Sequence, residues 1–151
     1  MKTEPDVCSF ADIMAAPRRT TSWEGVRNYQ ARNFMRDQFR VGDIALIYHS
    51  STDVPGIAGI AKVVRAAYPD PSALDKKSEY FDPASAKAGE SRWVMVDVQG
   101  ISAVPSGVLS LADIRGEKKL ASMLVLQRGQ RLSIQPVSQS EWNVLQQMLG
   151  G

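Results

Sequence analysis

The sequence predicts a mixed α/β domain, a small, partly closed barrel with short helices packed around it. Three observations predict it. Short apolar runs at 43–49, 57–65 and 92–98 alternate in the manner of strands and are separated by turn-rich or proline-punctuated stretches. Ser9, Ser110 and Ser138 each stand three residues ahead of an acid, the signature of a capped helix start. The run at 57–65 mixes Ala58, Gly59 and Ala61 with β-branched residues. Small side chains weaken a strand unless a facing element or a ligand comes close, which suits a small barrel. Strands interleaved with short capped helices make a mixed layer architecture.

Taken in order, Ser9 and Asp12 predict a helix over 10–15, stopped by Pro17. The stretch from Arg18 to Ser22 has no apolar period and reads, with Trp23 and Gly25, as a loop. A helix follows, because Ala31, Phe34, Met35 and Phe39 fall at i, i+3, i+4 and i+8. Asn28, Arg32 and Arg36 recur every fourth residue and line a different, donor-rich face. In the strand at 43–49, Ile44, Leu46 and Tyr48 point one way and Ala45, Ile47 and His49 the other. The polar stretch 68–89 has the length of a functional or mobile loop. The strand at 92–98 turns Val94, Val96 and Val98 to the core, with Trp93, Met95 and Asp97 opposite. Ser110 starts a short helix ending near Gly116, and 120–126 is ambiguous between helix and strand. A last strand is expected over 130–137. Ser138 and Glu141 then launch a terminal helix whose Trp142, Leu145 and Leu149 share a face.

Length and composition narrow the function. At 151 residues, with 44% hydrophobic and 23% charged residues, one soluble domain over 1–151 is expected, and a monomer. No apolar run approaches a membrane span, and the acidic, proline-containing start is unlike a signal peptide. A single cysteine, Cys8, excludes an intrachain disulfide and points to the cytoplasm. Net charge is only +2, but residues 18–40 hold six arginines against two acids. Residues 115–131 hold five Lys or Arg against Glu117 alone. Together the two segments could form a phosphate-holding patch.

Familiar catalytic chemistries find little support. His49 is the only histidine, and neither Cys8 nor Ser50 is placed with a base and an orienting group, so a strand-end histidine bonded to backbone is expected. One His and one Cys cannot make a zinc site, and no calcium-loop spacing occurs. Isolated glycines match neither the phosphate-loop nor the dinucleotide fingerprint, so no cofactor is implied. What remains is an aromatic and amide set: Trp23, Asn28, Tyr29, Tyr48, His49, Ser50, Trp93 and Gln135. Planar ligands are held by stacking on aromatic faces and chosen by hydrogen bonds at their edges. Asn28 alternatively caps the helix, and Tyr29 alternatively leans out from its first turn. Trp23, in a polar Arg/Thr/Ser/Gly setting, has no periodic partner that would make it core.

Several segments together resemble one family. They are Lys2-Thr3-Glu4-Pro5-Asp6, the block from Trp23 to Phe34, Tyr48-His49-Ser50, Pro55-Gly56-Ile57, Tyr68-Pro69-Asp70-Pro71, Arg92-Trp93 and the block from Arg131 to Val137. In this order they are similar to the signature blocks of the EVE domain family, within the PUA-like superfamily. The resemblance implies a PUA-like pseudo-β-barrel with short surrounding helices. It also implies a non-enzymatic module that takes a modified nucleobase, such as methylated or hydroxymethylated cytosine, into an aromatic-lined pocket. The positions it carries over are Lys2, Glu4, Trp23, Arg27, Asn28, Tyr48, Ser50, Trp93 and Gln135. On this reading Trp23 and Trp93 sandwich the ring, and Asn28, Ser50 and Glu4 bond its edge. Arg27, Arg32 and Arg36 hold flanking phosphates. An RNA-binding module indifferent to base modification, or a nucleotide- or RNA-processing enzyme using Glu4 or His49, are the alternatives. Family members usually carry an apolar strand before the block beginning at Lys2, so either the start is set late here or the barrel lacks part of its first strand.

Overall fold

The computed structural model describes residues 1–129 and 132–150. One sheet organises them. In chain order the strands are β1 (Lys2–Thr3), β2 (Thr20–Ser22), β3 (Ile44–His49), β4 (Gly56–Pro69), β5 (Val94–Ala103) and β6 (Leu109–Ser110). The helices are α1 (Phe10–Ala15), α2 (Tyr29–Asp37), α3 (Pro83–Ala88), α4 (Leu111–Arg115) and α5 (Gln139–Met148). The spatial order is β1-β3-β4-β5-β2, with β6 added to β4. The sheet curls into a half-barrel, and β1 and β2 are its free edges.

Local chemistry explains most of the elements. Ser9 accepts from the Asp12 N–H at 3.0 Å while Asp12 accepts from the Ser9 N–H at 2.9 Å, a complete capping box. Ser138 and Glu141 repeat it at α5. In α2 the stripe behaves as its spacing requires: Ala31 and Met35 are buried, and Phe34 meets Phe39 edge-to-face. The two faces of β3 serve two cores. Ala45 and Ile47 join Phe10, Met35, Val96 and Val98, while Tyr48 joins Ile57, Leu109, Leu120 and Leu145. Gly59 is small because the Phe10 ring lies against it, at a separation no Cβ could share. The close approach is therefore made by α1.

Four expectations change. Residues 20–22 are a strand, not a loop, pairing antiparallel with Gln99, Val98 and Asp97 of β5. The second and third strands are longer than their apolar patterns, running to Pro69 and Ala103. The stretch after Pro69 is built rather than loose: Asp70 is fully buried, Pro71–Leu74 forms a 3₁₀ turn, and Asp82 caps α3. The strand expected at 130–137 begins on residues outside the described set, and 132–137 is not strand. Pro136 has no N–H for a ladder there, although Lys2 still donates to the Ser133 carbonyl at 2.8 Å. As for the start of the chain, Lys2 and Thr3 pair in parallel with Tyr48 and His49.

Candidate nucleobase-binding cleft

Where the half-barrel fails to close, a cleft of about 700 Å³ opens between its two free edges. Lys2 and Thr3 from β1, with Glu4, Val7 and Cys8 beyond it, form one wall. Thr21 and Ser22 of β2 and the turn from Trp23 to Asn28 form the other, and Glu79 and Tyr80 close the end. The volume lies within the range of small-molecule sites.

The turn bearing Trp23 is held from both sides. The Trp23 N–H continues the β2 ladder by donating to the Val96 carbonyl at 2.7 Å, so the indole hangs from the sheet edge. Trp23 retains 8% of its surface exposure and packs into the main core as well as lining the cleft. Gly25 reverses the chain with φ of +83° directly over the Tyr80 ring, where a Cβ would come within 2.6 Å. Asn28 caps α2, its Oδ1 accepting from the Ala31 N–H at 3.0 Å. Its amide NH₂ has no partner among the described residues.

Arg27 lines the cleft, but its guanidinium is spent on holding this turn. Its Nη1 donates to Asp70 at 3.1 Å and to the Val26 carbonyl at 3.0 Å. Nε and Nη2 both donate to the Tyr80 carbonyl, at 3.1 and 2.8 Å, and Nη2 also reaches Ser72 Oγ at 3.1 Å. A guanidinium has five N–H donors, and these five bonds engage all its nitrogens. Burial by itself would raise the Asp70 pKa. Hydrogen bonds from Ser72, the Gly25 N–H and Arg27 outweigh it and hold the carboxyl below its ordinary value.

The expected sandwich of a ring between Trp23 and Trp93 is not laid out in the cleft: Trp93 is not among its lining residues, and the Arg27 guanidinium stands 5.4 Å from the Trp93 ring. Trp93 lies outside the cleft, stacked on Tyr29 at 4.7 Å and donating its indole N–H to Asp82 at 2.8 Å. Tyr48, Ser50 and Gln135 are also not among the residues lining the cleft. Tyr48 is in the second core, Ser50 bonds back to Thr3, and Gln135 donates to the Leu132 carbonyl. Of the expected phosphate ligands, Arg36 is held by Asp37 at 2.9 and 3.1 Å. Arg32 bonds Asn33 and the Arg92 carbonyl, and lies 4.8 Å over the Tyr29 ring. Lys2, Glu4, Trp23, Arg27 and Asn28 are thus the expected residues that the fold brings together.

The other acids of the cleft carry no signal in the sequence. Glu24 and Glu79 share the cleft with Glu4, and Arg27 is committed to Asp70, which leaves the lining acidic apart from Lys2. Burial, then Asp70 and Glu79, raises the Glu24 pKa. Such a lining accepts hydrogen bonds from N–H groups and repels phosphate. The one histidine behaves as expected: His49 Nε2 accepts from the Phe10 N–H at 3.0 Å, and burial lowers its pKa. The Cys8 thiol is pushed up by burial and by Asp12, away from the reactive thiolate. Among the described residues no three His, Cys, Asp or Glu side chains are grouped to hold a metal ion.

Fold and site together define a half-barrel domain with a polar, aromatic-bordered cleft at its open seam. The chain belongs to the EVE domain family, whose model matches residues 1–148. It is 39% identical over 160 residues to human thymocyte nuclear protein 1, a match spanning 95% of this chain and 69% of that protein. The chicken protein of that name is 42% identical, with 57% of its length matched. A crystal structure of a Pseudomonas putida protein is 44% identical with a TM-score of 0.90, covering 99% of this chain and 97% of that one. A crystal structure of human THYN1 in complex with 5-methylcytosine-containing DNA has a TM-score of 0.91 at 38% identity. It covers 100% of this chain and 96% of that one.

Proposed function

We propose that this protein binds DNA by taking a modified cytosine into the cleft between β1 and β2, without acting on it chemically. The observation that carries the reading is the meeting of Trp23 and Asn28 with the carboxylates of Glu4 and Glu24 in one hollow. The indole offers a stacking surface, and stacking offsets the few kcal/mol needed to extrude a base. Glu24 and Glu4 accept from the exocyclic amino group, and the free Asn28 amide and the Lys2 ammonium donate to the ring carbonyl. An oxo base in place of the amino group presents an acceptor to a carboxylate, which is repulsive. The relative that carries 5-methylcytosine DNA supports the choice of base.

The test is a panel of duplex and single-stranded oligonucleotides carrying one cytosine, 5-methylcytosine, 5-hydroxymethylcytosine or thymine. Tighter binding of a modified cytosine than of cytosine and thymine is expected. Equal affinity for modified and plain RNA, with none for DNA, would replace this reading by a shape-reading RNA module.

Glu24 gives the reading a pH signature. Ionised, its carboxyl only accepts; protonated, it turns a donor O–H on one oxygen and accepts more weakly, and its pKa lies above the ordinary glutamate value. Affinity for the modified base is therefore expected to be full at neutral pH and to fall as acid protonates Glu24. Glu24→Gln should bind more weakly at pH 7 and lose this acid limb. A variant with the parent's pH profile would remove Glu24 from base recognition.

A further inference from the structure

We infer that the outer face of β2, β5 and β4 is the track for the phosphodiester backbone of the bound strand, with Arg18, Arg19, Lys62 and Arg65 as its contacts. The inference rests on the base-reading function proposed above and moves the phosphate contacts off helix α2.

Register lays out the face. Thr20, Gln99 and Lys62 are cross-strand neighbours, and so are Ser22, Asp97 and Arg65. Directly paired residues project to the same side of a sheet, so these are two parallel rows on one face. The second row starts at the cleft, because Ser22 lines it. From there the Ser22 hydroxyl lies 3.2 Å from that of Tyr68, which donates to Asp97 at 2.5 Å, and the Arg65 guanidinium covers the Tyr68 ring at 3.6 Å. The first row ends beside Arg18, whose carbonyl accepts from Gln99 Nε2 at 3.0 Å and Thr20 Oγ1 at 2.9 Å. Arg18 and Arg19 both sit in the left-handed region, at φ of 56° and 52°. Non-glycine residues stay there only where surrounding contacts fix them, and here Gln99 anchors the turn to the face.

Charge decides between the two candidate surfaces. Arg18, Arg19 and Lys62 are exposed and have no side-chain hydrogen bond or ion pair among the described residues. The one acid of the two rows, Asp97, is occupied by the Tyr68 hydroxyl. On α2, Asp37 neutralises Arg36, and Arg32 is committed to Asn33 and the Arg92 carbonyl. Inside the cleft, Glu4, Glu24 and Glu79 turn phosphate away. A base can therefore enter the seam while its backbone lies across β2 towards β4. At about 3.3 Å per residue and 4.8 Å per strand, the four cations lie within roughly 10–15 Å of Ser22, the reach of the nucleotides adjoining an extruded base.

The salt dependence of binding tests this. Each phosphate contact contributes a slope of about −0.9 to log K against log salt on duplex DNA. Binding of a duplex carrying one 5-methylcytosine, and of its unmodified twin, is measured across a salt series for R18Q/R19Q, K62Q/R65Q and Arg36→Gln. Each double variant is expected to flatten the slope by about 1–2 and to weaken both duplexes about equally, and R18K/R19K to keep it. Arg36→Gln should leave it unchanged. Parent-like slopes in both double variants, with thermal melting confirming the fold, overturn the track while the base preference stands. A flattened slope with no preference for the modified duplex keeps the track and removes the base reading. Failure to bind any duplex removes both.

Discussion

Asp70→Ala is expected to lower the melting temperature by about 6–12 °C. The side chain is fully buried and forms an ion pair with Arg27, which is itself only 23% exposed. It also accepts from the Gly25 N–H at 2.9 Å and from the Ser72 N–H and hydroxyl. Removing one member of such a pair strands the other charge, at a cost of about 3 kcal/mol or more. For a chain of this length, each kcal/mol moves the midpoint by about 2–4 °C. Arg27→Ala should cost a similar amount. The double variant should lose less than the two single losses added, since one interaction is counted twice. The sign of the pH effect follows from the direction of the Asp70 shift. Its pKa in the folded state is below the ordinary 3.8, so its contribution is complete above that value and is lost as pH falls through the folded pKa. The parent should therefore lose stability below about pH 4 more steeply than Asp70→Ala. Melting of Asp70→Ala within 2 °C of the parent (less than about 1 kcal/mol) would show that the Trp23–Asn28 turn does not depend on this clamp.

The clamp also marks where sequence reasoning stops. Signals spanning three or four residues were legible: the Ser9–Asp12 and Ser138–Glu141 boxes, the Asn28 cap and the Ala31–Met35 stripe are local hydrogen bonds or one helix turn. The small residues of β4 announced a close approach without naming Phe10, because the contact spans some fifty residues of chain. Arg27 and Asp70 stand 43 residues apart, and Arg27 and the Tyr80 carbonyl 53. No periodicity links them, so nothing local shows that the guanidinium of this cleft-lining residue is engaged by the scaffold. Strand β2 was missed for a related reason. Thr20, Thr21 and Ser22 carry no apolar alternation, since the strand is a free edge paired on one side only. The half-barrel and the block holding Trp23 and Asn28 were legible through family likeness. The acids Glu24 and Glu79 were not, because a glutamate in a polar stretch looks like any surface charge until the fold sets it beside the cleft.

The largest expected effect on binding is at Trp23. If its indole stacks on the extruded base, Trp23→Ala forfeits about 1–3 kcal/mol, roughly a 5- to 150-fold loss for the modified oligonucleotide. Because Trp23 is also core, the same change destabilises the fold, and bare affinity would mix the two effects. The ratio of affinities for modified and unmodified oligonucleotides separates them, because a partly unfolded sample weakens both equally. That ratio should collapse towards one in Trp23→Ala and survive in part in Trp23→Phe, which keeps a smaller aromatic face. Trp93→Ala is the control that the geometry supplies. Trp93 stacks on Tyr29 and bonds Asp82 behind Arg27, so its loss should lower the melting temperature and spare the ratio. The reverse pattern, a ratio lost with Trp93 and kept without Trp23, would place the base on the far side of Arg27 and outside the seam between β1 and β2.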